Sequence, residues 1–269
     1  FDKTPQQLTS FCLTSLEILN DKPNHRLKIV DNWDSPSKLK SYLDTKGCGI
    51  GSKTSGNYAM FVGIFLTHEI LSDQRSNYRD LMNHWFDYHN QNQNKNTGFW
   101  GRKKYFSFQN AYHQFEIYNY YDVPIPHLDR IVDNLLNIQG KYGHFSPGIF
   151  GGYGSCWNYD AANILYNSLQ VSDYRRKDIV TSLLLLNNAV LKNQNSDGGF
   201  PRQHRSDTGL KILSQYPFHI LGGGLNPQLW FERLFELLQR GILKRKEKRS
   251  VPGSWAEGSW SSENSTLWD

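Results

Sequence analysis

Asn94-Lys-Asn-Thr-Gly98-Phe-Trp100, Gln139-Gly-Lys-Tyr-Gly143-His-Phe145 and Gln194-Asn-Ser-Asp-Gly198-Gly-Phe200 share one pattern: an amide, three residues, glycine, one residue, an aromatic ring. The amides lie 45 and 55 residues apart. Each follows a run with apolar residues at three- and four-residue steps, over Tyr78–His89, Leu128–Ile138 and Ile179–Leu191. Self-similarity at such spacing marks stacked helical units. Glycine after a helix accepts positive φ and turns the chain. The amide then satisfies polar groups of the turn while the aromatic packs back on the helix end, stapling one helix pair to the next.

Outward from these turns the sequence reads as helix almost throughout. The expected helices are Gln6–Leu19, Pro36–Leu43, Asn57–Leu71, Asn77–His89, Phe108–Tyr120, His127–Ile138, Tyr159–Leu169, Arg175–Leu191 and Pro227–Gly241, and strand alternation is nowhere sustained. Two kinds of helix alternate. Asn57–Leu71 and Tyr159–Leu169 carry small residues and few charges, whereas Asn77–His89 and Arg175–Leu191 carry more charge. Crowded inner helices and solvated outer ones would read this way, so the expected fold is all-α, one α/α toroid over residues 1–269 with a basic and aromatic segment at 240–269.

In these residues the sequence resembles the α/α-toroid superfamily of squalene and terpenoid cyclases and protein prenyltransferase β subunits, whose QxxxGxW repeats are similar to Gln139-x3-Gly143-x-Phe145 and Gln194-x3-Gly198-x-Phe200. The first copy has Asn94 for Gln but a true Trp100. The resemblance runs over about Cys48–Leu238. It implies an isoprenoid-type substrate in an aromatic-lined cavity at the N-terminal ends of the inner helices. It also implies a cyclase acid motif, DxDD, at the start of an inner helix, where this chain reads Trp157-Asn158-Tyr159-Asp160. Tyr159 stands in the proton donor's place, and a phenol of ordinary pKa near ~10 is too weak an acid to protonate an alkene. Asp160 therefore reads either as an acid raised by burial or as the N-cap of its helix.

The prenyltransferases hold zinc through an Asp-x-Cys pair and a distant His. Cys156 is at a comparable place, with Gly154 where the Asp would be and His219 or His113 as distant partners, so it is only a weak metal candidate and no cofactor is expected. Arg102, Lys103 and Lys104 fit either diphosphate binding or a solvated loop.

Within Phe108–Tyr118, Tyr112 and Glu116 fall one turn apart and His113 on an adjacent face, while Asn57 and Tyr58 begin the preceding inner helix after a glycine-rich loop. The expected catalytic groups are Asp160, His113 and Tyr112. Trp157, Asn158, Tyr159, Phe108, Glu116, Asn57 and Tyr58 are expected to contact substrate, aromatic faces steadying cationic intermediates. The same polar set suits a carbohydrate-active lyase or hydrolase, and a non-catalytic scaffold is the third reading.

Charge is local. Of 269 residues, 30 are Lys or Arg and 25 Asp or Glu, a net +5, and Arg240–Arg249 alone holds six cations and one anion. The rest sums to zero, which excludes a general nucleic-acid surface. The basic run serves either to offset a helix dipole or, with Trp255 and Trp260, to give peripheral contact with an anionic membrane through 240–260. Three distant cysteines without CxxC spacing point to a reducing, cytoplasmic compartment. No apolar run reaches the ~18–20 residues a span needs. Beginning at Phe1, the chain reads as a processed or excerpted product.

Overall fold

The computed structural model describes residues 3–52, 54–72, 76–101, 105–140, 143–145, 156–192, 194 and 226–237. Among them all regular elements are helical; the single β-type bridge joins Gln93 to Trp100. The chain forms two compact units, Phe1–Lys103 with Ser107–Ile131, and Lys104–Phe106 with Val132–Asp269.

The first unit holds α1 (Lys3–Ile18), α2 (Pro36–Thr45), α3 (Ser55–Ser72), α4 (Ser76–Asn92) and α5 (Phe108–Tyr120), with short 3-10 turns at Lys28–Trp33 and Tyr105–Ser107 beside them, the latter divided between the units. Helix α2 begins where Pro36 supplies its fixed φ at the first turn after an extended Ser35. Helix α3 is the centre of this unit: eleven of its eighteen residues are buried, and α1, α4 and α5 pack around it. A helix without a charged face has no side to give to water. Two glycines let α5 come close. A Cβ on Gly56 would stand 2.3 Å from the Asn110 carbonyl oxygen, and one on Gly63 2.8 Å from Ile117 Cδ1. Helix α4 is amphipathic, burying Tyr78, Leu81, Met82, Trp85, Phe86, Tyr88 and His89. Its Trp85 indole donates to the Ala59 carbonyl of α3 at 3.0 Å.

The second unit contains α7 (Cys156–Val171), α8 (Arg176–Leu191) and α9 (Pro227–Leu237), and most of α6 (Leu128–Ile138). Helix α7 packs on α8. Seven of sixteen α7 residues are buried against four of sixteen in α8, the crowded and solvated pair expected from composition. Arg175 joins α8 to α6, its guanidinium 2.9 Å from Asp133 and 2.8 Å from Asp178. Buried Arg233 of α9 donates to Ile138 O at the end of α6, 2.6 Å away, and desolvation lowers its pKa to about 10.

The repeat motif takes the same form in both described copies, with one correction. Gln139 Nε2 donates to Gly143 O and to Ser182 O of α8, both at 2.9 Å. In the first copy the bridging amide is Gln93, not Asn94: Gln93 Nε2 donates to Gly98 O at 2.7 Å and to Pro126 O at 2.5 Å. The backbone agrees, since Asn94 N–H donates to Phe99 O and Gly140 N–H to His144 O, each at 2.8 Å. The first turn is one residue longer, and Asn94 is used inside it, accepting from the Asn96 and Thr97 N–H groups. Gly98 (φ +75°) and Gly143 (φ +93°) take the left-handed conformation expected of them. Of the third copy only Gln194 belongs to the described residues, and the basic run and aromatic tail lie outside them.

The helix bounds differ from expectation chiefly at α7, which begins at Cys156, not Tyr159. The 3-10 turn Lys28–Trp33 was not expected; it sinks Val30 and Trp33 into the core, Trp33 stacking on Phe65 at 6.1 Å. Six residues are too few to show a helical period.

Candidate functional site

In the first unit, the starts of α3 and α5 bring four expected residues together. Asn110 sets their register: its Oδ1 accepts from Gly56 N–H at 3.3 Å, and its Nδ2 donates to Ser52 O at 3.4 Å. Asn57 Nδ2 then reaches His113 Nε2 at 2.9 Å. One turn along α5, the Tyr112 hydroxyl donates to Glu116 Oε1 at 2.5 Å, and Glu116 Oε2 lies 3.7 Å from His113 Nδ1. Tyr112 is buried, while the His113 and Glu116 side chains are 17 % and 36 % exposed.

These contacts assign the tautomer. With the Asn57 amide donating, Nε2 is the acceptor and the proton of a neutral imidazole sits on Nδ1, toward the Glu116 carboxylate. The opposite assignment would aim a lone pair at that carboxylate. The group is therefore an imidazole held at Nε2 by the Asn57 amide, with the Glu116 carboxylate, itself bound by the Tyr112 phenol, 3.7 Å from Nδ1 and not hydrogen-bonded to it. Nε2 is thus occupied by the Asn57 amide, and His113 could act as a proton acceptor there only with that amide moved aside.

The other two first-unit candidates turn elsewhere. Tyr58 lies under Lys46, whose Nζ is 4.6 Å from the ring centroid. Phe108 is fully buried, 6.4 Å from Phe99 between centroids, so its face belongs to the core.

In the second unit, the candidates stand on the first turns of α7. Asn158 is engaged by the repeat turn: its Oδ1 accepts from Phe145 N–H at 2.9 Å and its Nδ2 meets His144 Nδ1 at 3.1 Å. Trp157 is buried and Tyr159 is 61 % exposed. Asp160 is buried, at 3 % exposure. Because α7 begins at Cys156, Asp160 stands one turn inside the helix, and its alternative reading as N-cap is corrected. Cys156 is exposed. Among the described residues no three His, Cys, Asp or Glu side chains are placed to hold a metal ion; His219 lies outside them, as do Arg102, Lys103 and Lys104.

Two cavities of the first unit lie away from every candidate. One, about 360 Å³, is lined by Asp34, Pro36, Asn77, Asp80, Asn83 and His84 among others. The second, about 300 Å³, lies between the Lys22–Arg26 loop and the end of α3. Sequence reading passed over this second cavity, and also Gln93, Asn110 and His89. For Gln93 a signal existed, an amide one place before the one chosen; for the others only the packing brings out their roles.

No protein-family model, curated protein or solved structure matches the chain. No helix among the described residues is long and apolar enough to cross a membrane.

Proposed function

We propose that this chain is an α/α-toroid enzyme of the terpenoid cyclase and prenyltransferase type, acting on an isoprenoid-type substrate. The observation that supports this best is the staple. A glutamine side chain twice bridges the glycine turn and the segment packed on it, at the QxxxGxW-like spacing in Gln139–Phe145 and one residue longer in Gln93–Trp100. In this reading His113, with the Asn57 amide moved aside, accepts the proton that ends a carbocation sequence, and Asp160 is the acid or the electrostatic partner. Tyr159 is not the proton donor, being a phenol and largely in water. The chain works in a reducing, cytoplasmic setting, and its basic run with Trp255 and Trp260 touches an anionic membrane surface.

The polar character of the Asn57–His113–Glu116–Tyr112 group favours one second reading, a carbohydrate lyase with His113 as base and Asn158 near a uronate. Native mass spectrometry of the chain with a C15 prenyl diphosphate and with a uronate oligosaccharide separates the two. Retention of the prenyl compound, lost in His113→Ala, is the expected result. Retention of the glycan alone refutes the isoprenoid reading, and retention of neither leaves a scaffold. Salt-sensitive binding to anionic liposomes, lost on truncation at Gly241, tests the membrane contact.

A further inference from the structure

Helix α1 lies with its polar side inward. Gln6, Ser10 and Leu13 are its buried residues, and Gln6 Oε1 accepts from the Tyr42 hydroxyl of α2 at 3.0 Å. On the opposite side Leu8, Phe11, Cys12, Ser15, Ile18 and Leu19 follow one another at three- and four-residue steps and form one stripe. Leu19 prolongs the helical pattern, its N–H donating to Ser15 O at 3.1 Å. Leu8 is 60 % exposed, Phe11 47 %, Ile18 77 % and Leu19 73 %, and Cys12 and Ser15 are exposed between them. A single exposed leucine is ordinary. Four large apolar side chains in one stripe, on a helix that buries two polar residues out of three, mark a surface meant for another.

The chemistry of the stripe narrows what can cover it. Lys3 and Glu17 are the only charged residues of α1, and neither stands on the stripe; Glu17 accepts from the Tyr120 hydroxyl of α5 at 2.6 Å. The Ser15 hydroxyl donates to Phe11 O one turn back, at 2.8 Å, so covering the stripe strands no hydroxyl. In a two-fold contact a patch meets its own copy, and any charge on it would face its like or lose its water. A neutral patch escapes both costs. An anionic lipid surface would call instead for cations along the helix, of which α1 has one. Size agrees with a second copy. The stripe exposes roughly 500 Å² per chain, so two chains can bury on the order of 1,000 Å², enough for a specific but reversible interface.

From this pattern we infer that the α1 stripe is the contact between two copies of this chain, their helices antiparallel about a two-fold axis at the level of Leu13. In that arrangement the Phe11 ring covers Ser15 of the partner subunit, a large residue over a small one, and Leu8 meets Ile18 of the partner subunit. The positive N-terminal end of each helix also lies beside the negative C-terminal end of the other. A parallel pairing would set Phe11 on Phe11 and bring like helix ends together. None of the residues placed in the candidate catalytic group is on α1, so the contact is separate from that group.

Sedimentation velocity of the full chain tests this. Between about 1 and 100 µM the sedimentation coefficient should rise from that of a monomer to that of a dimer, and added salt should leave the dimer intact because the contact is uncharged. Phe11→Glu and Ser15→Lys both alter exposed positions, so each should keep the wild-type circular dichroism while holding the chain monomeric through like-charge opposition. Mixed in equal amounts, the two variants should recover the dimer. F11E of one copy then faces S15K of the other, and the second Phe11–Ser15 contact is unaltered, a pairing that only the antiparallel arrangement provides. The inference is overturned by a monomer at every concentration, by dissociation in salt, by an undiminished dimer in Phe11→Glu, or by no recovery in the mixture. Monomers that bind phosphatidylcholine vesicles and lose that binding in Phe11→Glu also overturn it, since the stripe would then serve a lipid surface.

Discussion

Acidification should loosen the first unit through one side chain, His89. Its ring is fully buried on α4, its centroid 3.9 Å from that of Trp85, and Nδ1 is 2.7 Å from the Trp85 carbonyl oxygen. The carbonyl accepts, so Nδ1 carries the proton and Nε2 is a bare acceptor; among the described residues Nε2 has no partner. Protonating it would put a charge in the apolar core. Burial accordingly pushes the pKa from its ordinary 6.5 down to about 3. The unfolded chain takes up the proton near pH 6.5 and the folded one only near 3, so the unfolded state binds more protons between these values. Stability is whole above pH 6.5 and falls as the pH drops toward 3. At ~1.4 kcal/mol per pH unit the loss reaches roughly 3 kcal/mol at pH 4.5 and on the order of 5 kcal/mol at the acid limit, a large share of a domain's stability. Urea unfolding followed by circular dichroism, at pH 7.5, 5.5 and 4.5, measures it. His89→Phe serves as the reference, because it keeps an aromatic ring beside Trp85 without a titrating nitrogen. The wild type should lose roughly 3 kcal/mol more than the variant between pH 7.5 and 4.5. Parallel pH dependence of the two proteins would refute the reasoning.

Other outcomes follow from the same contacts. Gln93→Ala removes one buried and one part-buried hydrogen bond and should cost about 1–3 kcal/mol in thermal or urea unfolding, more than Asn94→Ala, whose bonds lie within a partly exposed turn. The reverse order would restore Asn94 as the repeat amide. Gly143→Ala should cost at least about 1 kcal/mol, because φ is positive and a Cβ would stand 2.6 Å from the Leu185 carbonyl oxygen. Burial pushes the Cys48 thiol up to about 12, so iodoacetamide at pH 8 should label exposed Cys12 and Cys156 and spare Cys48 until the chain is unfolded, as peptide mass spectrometry would report. For His113, nitrogen NMR should find the Nδ1–H tautomer in the wild type and a mixed population in Asn57→Leu; an Nε2–H form in the wild type would reverse the assignment.

Much of the helical order was legible because it rests on local periodicity. Phe108–Tyr120 was expected at its observed bounds, and the contrast between crowded α7 and solvated α8 was visible in small residues against charges, whereas α4, read as solvated, buries as many residues as α7 because its apolar face carries Tyr78, Leu81, Met82, Trp85, Phe86, Tyr88 and His89. The repeat turns were legible through their glycines, since positive φ is a property of the residue itself. The amide was less so. Fixed spacing selected Asn94, whereas a turn one residue longer puts Gln93 in reach of Gly98 and Pro126. Asp160 was misplaced by similar means: a capping residue type was visible, but the helix had already begun at Cys156.

What the sequence determined alone is the helical class and the glycine turns of the repeat, because these depend on neighbours one to four positions away. Only the tertiary structure decided which polar groups meet. Tyr112 and Glu116 share one helix and were paired in advance, but Asn57 reaches His113 because Gly56 and Gly63 let α3 and α5 approach and Asn110 sets their register. Glu69 reads as an ordinary break in an apolar run until the fold buries it beside an arginine already shared with Asp31. Local periodicity records which face of a helix is buried; it carries no record of what lies opposite, and there the charge balance and the chemistry are set.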